Sequence, residues 1–264
     1  MSKIVLITGA TDGIGFEAAK RLASEGHRVL IHGRNSAKLE AARATIGGDT
    51  QTYLADLSHI ADVLKLAGDI TRDHARIDIL INNAGVLKAP QTVTTDGLDL
   101  RFMVNTIAPY ILTKRLLPLM GNGGRIINLS SAAQAPVDLN ALMGGGVMEA
   151  MTAYAQSKLA MTMWSQHLAA KHPDGPSFLS VNPGSLLATN MVKEGFGIAG
   201  HDIGIGATIL RRAALDSDFA DVSGRYFDND AGAFAPPHSD AADPAKVSAV
   251  MQAIDAIFSK FLNS

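Results

Sequence analysis

The chain of 264 residues is 47% hydrophobic and 18% charged, enough apolar material for one sizeable core, so residues 1–264 read as a single domain. A net charge of −2 with no run of Lys or Arg excludes the electrostatic footprint of a nucleic-acid or anionic-membrane binder, and the absence of Cys excludes disulfides and thiolate metal sites. With no apolar stretch near the roughly 18 residues that cross a bilayer, and a strand-like run already at Lys3 where a signal peptide would stand, a soluble cytoplasmic protein is expected.

Short β-branched runs alternate with longer amphipathic ones. In chain order, strands are predicted at 3–9, 27–33, 51–56, 77–83, 124–130, 177–183 and 224–228. Helices are predicted near 14–25, 36–45, 59–74, 96–118, 149–171, 205–216 and 244–262. Such alternation predicts an α/β fold with right-handed crossovers and a doubly wound parallel sheet carrying helices on both faces. Three segments stay irregular: 134–148 with its Gly triplet, 185–204 rich in Gly and Met, and 229–243 rich in Asp, Ala and Pro. Loops of this kind gather beyond the carboxyl ends of the strands, where ligands bind.

The first strand leads into TGATDGIG at 8–15, with Gly9, Gly13 and Gly15 before a helix. Glycines there let the backbone approach a pyrophosphate, whose charge sits at the positive end of the helix. Much later, TAYAQSKLA places Tyr154 four residues before Lys158 on a predicted helix. At that spacing the two side chains share a face, and a nearby cation favours phenolate, as a tyrosine acid/base requires. Either motif alone has a bland alternative, a turn or ordinary helix packing.

The pattern T-G-x-x-x-G-x-G, with NNAG at 82–85, NLSS at 128–131, Y-x-x-x-K at 154–158 and NPG at 182–184, resembles the short-chain dehydrogenase/reductase family. The motifs stand in the family's order and span essentially the whole chain. The resemblance implies a Rossmann fold and hydride transfer between a nicotinamide cofactor and a small-molecule carbonyl or alcohol substrate. Tyr154 would give the proton to the carbonyl oxygen, and Lys158 would lower its pKa and bind the nicotinamide ribose. Ser131 would bind the substrate oxygen, with Ser130 structural, and Asn105 would hold a water linking Lys158 to solvent. Cofactor contacts are implied for Gly9, Thr11, Asp12, Gly13, Ile14 and Gly15. Asn82, Ala84 and Gly85 follow after the fourth strand, and Pro183, Gly184, Leu186 and Thr189 after the sixth. Asp56, followed by Leu57, matches the acid that binds the adenine amino group.

The second strand ends in IHGRN, with Arg34 and Asn35 and no acid. A guanidinium fits a 2′-phosphate and no carboxylate repels it, so NADP(H) is expected over NAD(H), which stays possible if Arg34 is only a solvated loop residue. Asp12 places an acid where some NADP-dependent relatives carry a base. Ser131 and Tyr154 are 23 positions apart (154 − 131), longer than in the simplest members and similar to the branch of retinol dehydrogenases and protochlorophyllide reductases. The extra residues are read as a mobile flap or a surface turn, with 134–148 and 185–204 as substrate-covering loops. Leu87, Lys88, Gln134, Met143, Met148, Met191, Val192 and Phe196 are candidate walls for a largely apolar substrate.

No metal is expected, because the eight His show no ligand spacing and DNDAG at 228–232 lacks the acids of a calcium loop. The family also implies a homodimer or homotetramer through the helices near 96–118 and 149–171. The alternative function is a non-catalytic NADPH sensor or scaffold of the same fold, although such proteins have lost the Tyr or Lys present here. A sugar-nucleotide epimerase or dehydratase is a further alternative, disfavoured because only 81 residues (184–264) follow Pro183.

Overall fold

The computed structural model describes residues 2–146 and 148–262. One sheet of eight strands runs in the order β3-β2-β1-β4-β5-β6-β7-β8. Its strands are β1 (Ile4–Ile7), β2 (Arg28–Gly33), β3 (Thr50–Leu54), β4 (Ile79–Asn82), β5 (Arg125–Leu129), β6 (Ser177–Asn182), β7 (Arg225–Asp228) and β8 (Ala233–Ala235). The first seven are parallel and β8 returns antiparallel to β7, with Phe227 opposite Phe234.

The helices are α1 (Gly13–Ser24), α2 (Ser36–Ile46), α3 (Ile60–Asp73), α4 (Leu100–Phe102), α5 (Ala108–Leu116), α6 (Leu139–Leu142), α7 (Ala150–Lys171), α8 (Asn190–Phe196), α9 (Ile203–Leu215) and α10 (Pro244–Leu262). Among the described residues, no helix is long and apolar enough to cross a membrane.

Strand periodicity divides the core. Leu6, Leu30, Leu80, Ile126 and Phe178 point to one face, where α3, α5, α7 and α10 cover them. Val5, Ile7, Val29, Ile31, Ile79, Ile81 and Ile127 point to the other, under α1 and α9. The chain doubles back between β1 and β4, so a crevice opens beyond their carboxyl ends.

Several predicted features are revised. Segment 229–243, predicted irregular, contains β8, added antiparallel at the edge of the expected parallel sheet, and a 3₁₀ turn at Ser239–Ala242. The helix predicted over 96–118 is interrupted by a π-helical turn at Met103–Ile107 that carries Asn105. Irregular segment 185–204 contains α8, capped at its start by the Thr189 hydroxyl, which accepts from Val192 N at 3.2 Å. Within 134–148, Ala141 and Leu142 are buried and Asn140 holds Gly145 in both directions, so this stretch is anchored up to its glycines.

Helices α5 and α7 pack against this chain's own C-terminal helix. Tyr110 of α5 donates to Asp255 of α10 at 2.5 Å and stacks edge-on against Trp164 of α7, and Ile254 and Ile257 belong to the same core.

Candidate active site

A cavity of about 840 Å³ follows the carboxyl ends of β1, β2, β4, β5 and β6, a size in the range of small-molecule and cofactor sites. Thr11, Asp12, Gly13, Ile14, Arg34, Asp56 and Leu57 line one end. Gly85, Ser131, Tyr154, Lys158, Pro183, Gly184 and Leu186 line the other, with Ala84 beside Gly9 and Thr189 beside Gly13 between the two.

At the first end, α1 begins with no side chain capping its free N–H groups, which therefore open toward the cavity. Gly9 holds a left-handed φ of +66°, and a Cβ there would meet Ala84 Cα at 2.8 Å. Gly15 lies off the cavity and has a packing role: a Cβ would fall 2.3 Å from the Asn83 amide nitrogen and 2.7 Å from Gly9 O. Arg34 is exposed, and Lys38, which sequence reading did not single out, lies 3.7 Å from Asp12. Asn35 caps α2 by accepting from Lys38 N at 2.9 Å. Asp56 accepts from Ser58 N at 2.9 Å; burial pushes its carboxyl up, but the Ser58 bonds and the positive charges of His59 and Arg34 bring it below its ordinary value.

At the other end, Lys158 is 3% exposed and donates to Leu129 O at 2.6 Å, with Nζ 5.5 Å from the Tyr154 ring centre. Burial pulls Lys158 down to about 7. Tyr154 is half-buried, and desolvation pushes its phenol above the ordinary value while the Ser131 hydroxyl pulls the other way. In this structure burial therefore dominates Tyr154, where the sequence reading expected a lowered value. Ser131 Oγ accepts from Ala133 N at 3.1 Å, and its carbonyl is held by Tyr226 Oη at 3.1 Å and Gln134 Nε2 at 2.9 Å. Ser130, which also lines the cavity, shares a hydrogen bond between its hydroxyl and Thr162 Oγ1 at 2.7 Å.

Asn105 stands behind the wall. Its Oδ1 accepts from Val86 N at 2.8 Å, and its Nδ2 donates to Val86 O and to Ser157 Oγ, both at 3.0 Å. One Oδ1 lone pair is left for a water. Asn82 does not face the cavity: its amide donates to Thr113 and Asn128 inside the core, tying β4 to α5 and β5. Its neighbour Asn83 takes the cavity position and donates to Thr8 O and Gly9 O.

Of the candidate substrate walls, Leu87, Lys88, Met191 and Val192 line the cavity, joined by Met151. Gln134, Met143 and Met148 do not, and the side chain of Phe196 lies outside the described residues.

The buried His32 is the residue that sequence reading missed most completely. Its Nδ1 accepts from Gly9 N at 3.2 Å, so Nε2 carries the proton and donates to Ala55 O at 3.1 Å. Burial lowers it from 6.5 to about 4, opposed by the Ala55 bond and the Asp56 charge. Between those values the unfolded chain binds a proton that the folded chain refuses, so stability present above pH 6.5 is lost as pH falls toward 4. The expected loss is about 3 kcal/mol. Urea midpoints across this range should drop in the wild type and drop less in His32→Gln; parallel curves would remove His32 as the cause.

The donor set fits a phosphate-bearing dinucleotide: uncapped helix N–H groups and two cations stand at one end, and a phenol, a hydroxyl and an amine at the other. A family model described as short chain dehydrogenase matches residues 3–196. Retinol dehydrogenase 13 of Homo sapiens is 32% identical over 253 residues, covering 86% of this chain and 76% of that protein. The solved structure of an uncharacterized protein from Mycobacterium paratuberculosis superposes with a TM-score of 0.80 at 26% identity, covering 97% of this chain and 92% of that one. A short chain dehydrogenase from Shigella flexneri 2a strain 301, complexed with NADP, gives 0.68 at 28% identity, covering 86% and 97%. The chain is a member of the short-chain dehydrogenase family, in its retinol dehydrogenase-like branch, and an oxidoreductase of that fold.

Proposed function

We propose that this oxidoreductase is NADP(H)-dependent and interconverts a carbonyl and an alcohol on a largely apolar substrate. The observation that carries the reading is one continuous cavity joining Arg34 and Lys38 at one end to Ser131, Tyr154 and Lys158 at the other. When bound, the nicotinamide supplies or accepts the hydride.

The protein's own residues do the rest. Tyr154, neutral at neutral pH because burial raises its pKa, donates its phenolic proton to the carbonyl oxygen during reduction. Ser131 hydrogen-bonds the same oxygen from a backbone held by Tyr226 and Gln134. Lys158, held by Leu129 O with its Nζ 5.5 Å from the Tyr154 ring centre, is the amine beside that phenol and the nicotinamide ribose position. Asn105, buried behind the cavity wall, fixes the Val86 backbone through both atoms of its amide.

Cofactor choice rests on charge. Arg34 and Lys38 supply two cations where no acid ends β2, which suits a 2′-phosphate. The Shigella relative is complexed with NADP. Leu87, Val104, Met151, Met191 and Val192 give the substrate end an apolar lining, consistent with a hydrophobic aldehyde or ketone.

A panel of aldehydes, aromatic ketones and cyclic ketones, with NADPH oxidation followed by absorbance, tests the reading. Turnover of apolar carbonyls is expected; NADPH binding without turnover of any member, or of the matching alcohols with NADP⁺, would favour a sensor.

A further inference from the structure

The DNDAG segment, which matches no calcium loop, forms the turn between β7 and β8 and grips the loop after β6 residue by residue. Asp228 Oδ1 accepts from Asn182 Nδ2 at 2.8 Å. Asn229 donates through Nδ2 to Pro183 O at 2.9 Å and through its backbone N to Asn182 O at 3.2 Å. Asp230 accepts from Asn182 Nδ2 at 2.9 Å, from Ser185 N at 2.9 Å and from Ser185 Oγ at 2.5 Å.

The gripped loop carries a strained residue. Leu186, the non-glycine residue with positive φ among those described, sits at φ 53° immediately after Ser185. A branched side chain in that region is unfavourable and persists when its surroundings hold it there. Asp230 holds the residue before it, and His201 N donates to Leu186 O at 2.7 Å on the far side. Asn182, Pro183, Gly184, Ser185 and Leu186 all line the cavity at its Tyr154 end.

We propose that Asp228, Asn229 and Asp230 are positioning residues that fix the 182–186 backbone against the nicotinamide half of the cofactor. This rests on the dinucleotide reading of the cavity. The side-chain hydrogen bonds of the turn to the loop run to Asn182, Pro183 and Ser185 and, among the described residues, to none of the Arg34 end, so its effect falls on the Tyr154 half of the ligand.

Calorimetric titration with two probes separates the halves: NADPH spans the cavity, whereas 2′,5′-ADP occupies the Arg34 end alone. Asp230→Ala should weaken NADPH about 10-fold, the loss of hydrogen bonds to a charged acceptor, and leave 2′,5′-ADP unchanged. Ser185→Ala removes an exposed hydroxyl, provides the same readout if Asp230→Ala fails to fold, and should shift NADPH by about 3-fold. Combined with Asp230→Ala it should add little, since Asp230→Ala already removes the Ser185 hydroxyl contact. Equal weakening of both probes, or no weakening of NADPH in either variant, would overturn the clamp while leaving the dinucleotide site intact. Wild-type protein that binds neither probe would overturn the cavity reading and the clamp together.

Discussion

Tyr154→Phe is expected to lower kcat about 10²- to 10⁴-fold, the range contributed by a positioned general acid, while NADPH affinity stays essentially unchanged. The substitution removes one oxygen and keeps the ring. Ring packing is what holds the surroundings, because Lys158 Nζ lies 5.5 Å from the ring centre and bonds Leu129 O rather than depending on the phenol. The neighbouring residues of α7, Ala153 and Ala155, are buried, so the backbone has little freedom to readjust. A stability loss in Tyr154→Phe large enough to explain the inactivity would make the phenol structural. An unchanged melting temperature with lost turnover assigns it to proton transfer.

Replacing Arg34 should shift cofactor preference more than any other single change at the far end. A guanidinium on a phosphate makes charge-assisted hydrogen bonds of about 1.5–3 kcal/mol when well formed. Arg34 is exposed, so solvent and salt screen part of this. Arg34→Ala should therefore reduce the ratio of kcat/KM for NADPH over NADH about 10- to 100-fold, and 1 M salt should shrink the wild-type ratio. Lys38 keeps a residual preference in the variant, because its exposed ammonium is only loosely engaged by Asp12 at 3.7 Å. Comparable kcat/KM for NADH and NADPH in the wild type would contradict the charge argument at its root.

The elements that position the site were legible because their signals are local. The ILIN and RIINL strands are apolar on both faces and are buried in the sheet centre as that pattern requires. Glycine punctuation marked the turn into α1, and helical spacing put Tyr154 and Lys158 on one side of α7. What escaped depends on contacts distant in sequence. His32 reads as one polar residue in a strand, and its role appears when Gly9 and Ala55 arrive from neighbouring strands. Asn82 and Asn83 are indistinguishable as a dipeptide, but strand alternation sends the first into the core and leaves the second at the cavity. The three residues of β8 are too short to show a period, and their pairing comes from the turn that precedes them. Met143 and Met148 were grouped with Met191 by residue type alone, but Met143 is exposed after α6 and Met148 packs against the core. The burial that raises Tyr154 and lowers Lys158 is a property of the assembled pocket, invisible in a four-residue spacing.

Single-turnover oxidation of NADPH by stoichiometric enzyme, with an apolar aldehyde or ketone and Tyr154→Phe beside the wild type, tests the central claim most directly. Both proteins should bind NADPH, and only the wild type should oxidise it rapidly, at least about 10²-fold faster than the variant. Equal rates in the two proteins would contradict Tyr154 as the proton donor on which the proposed reaction depends.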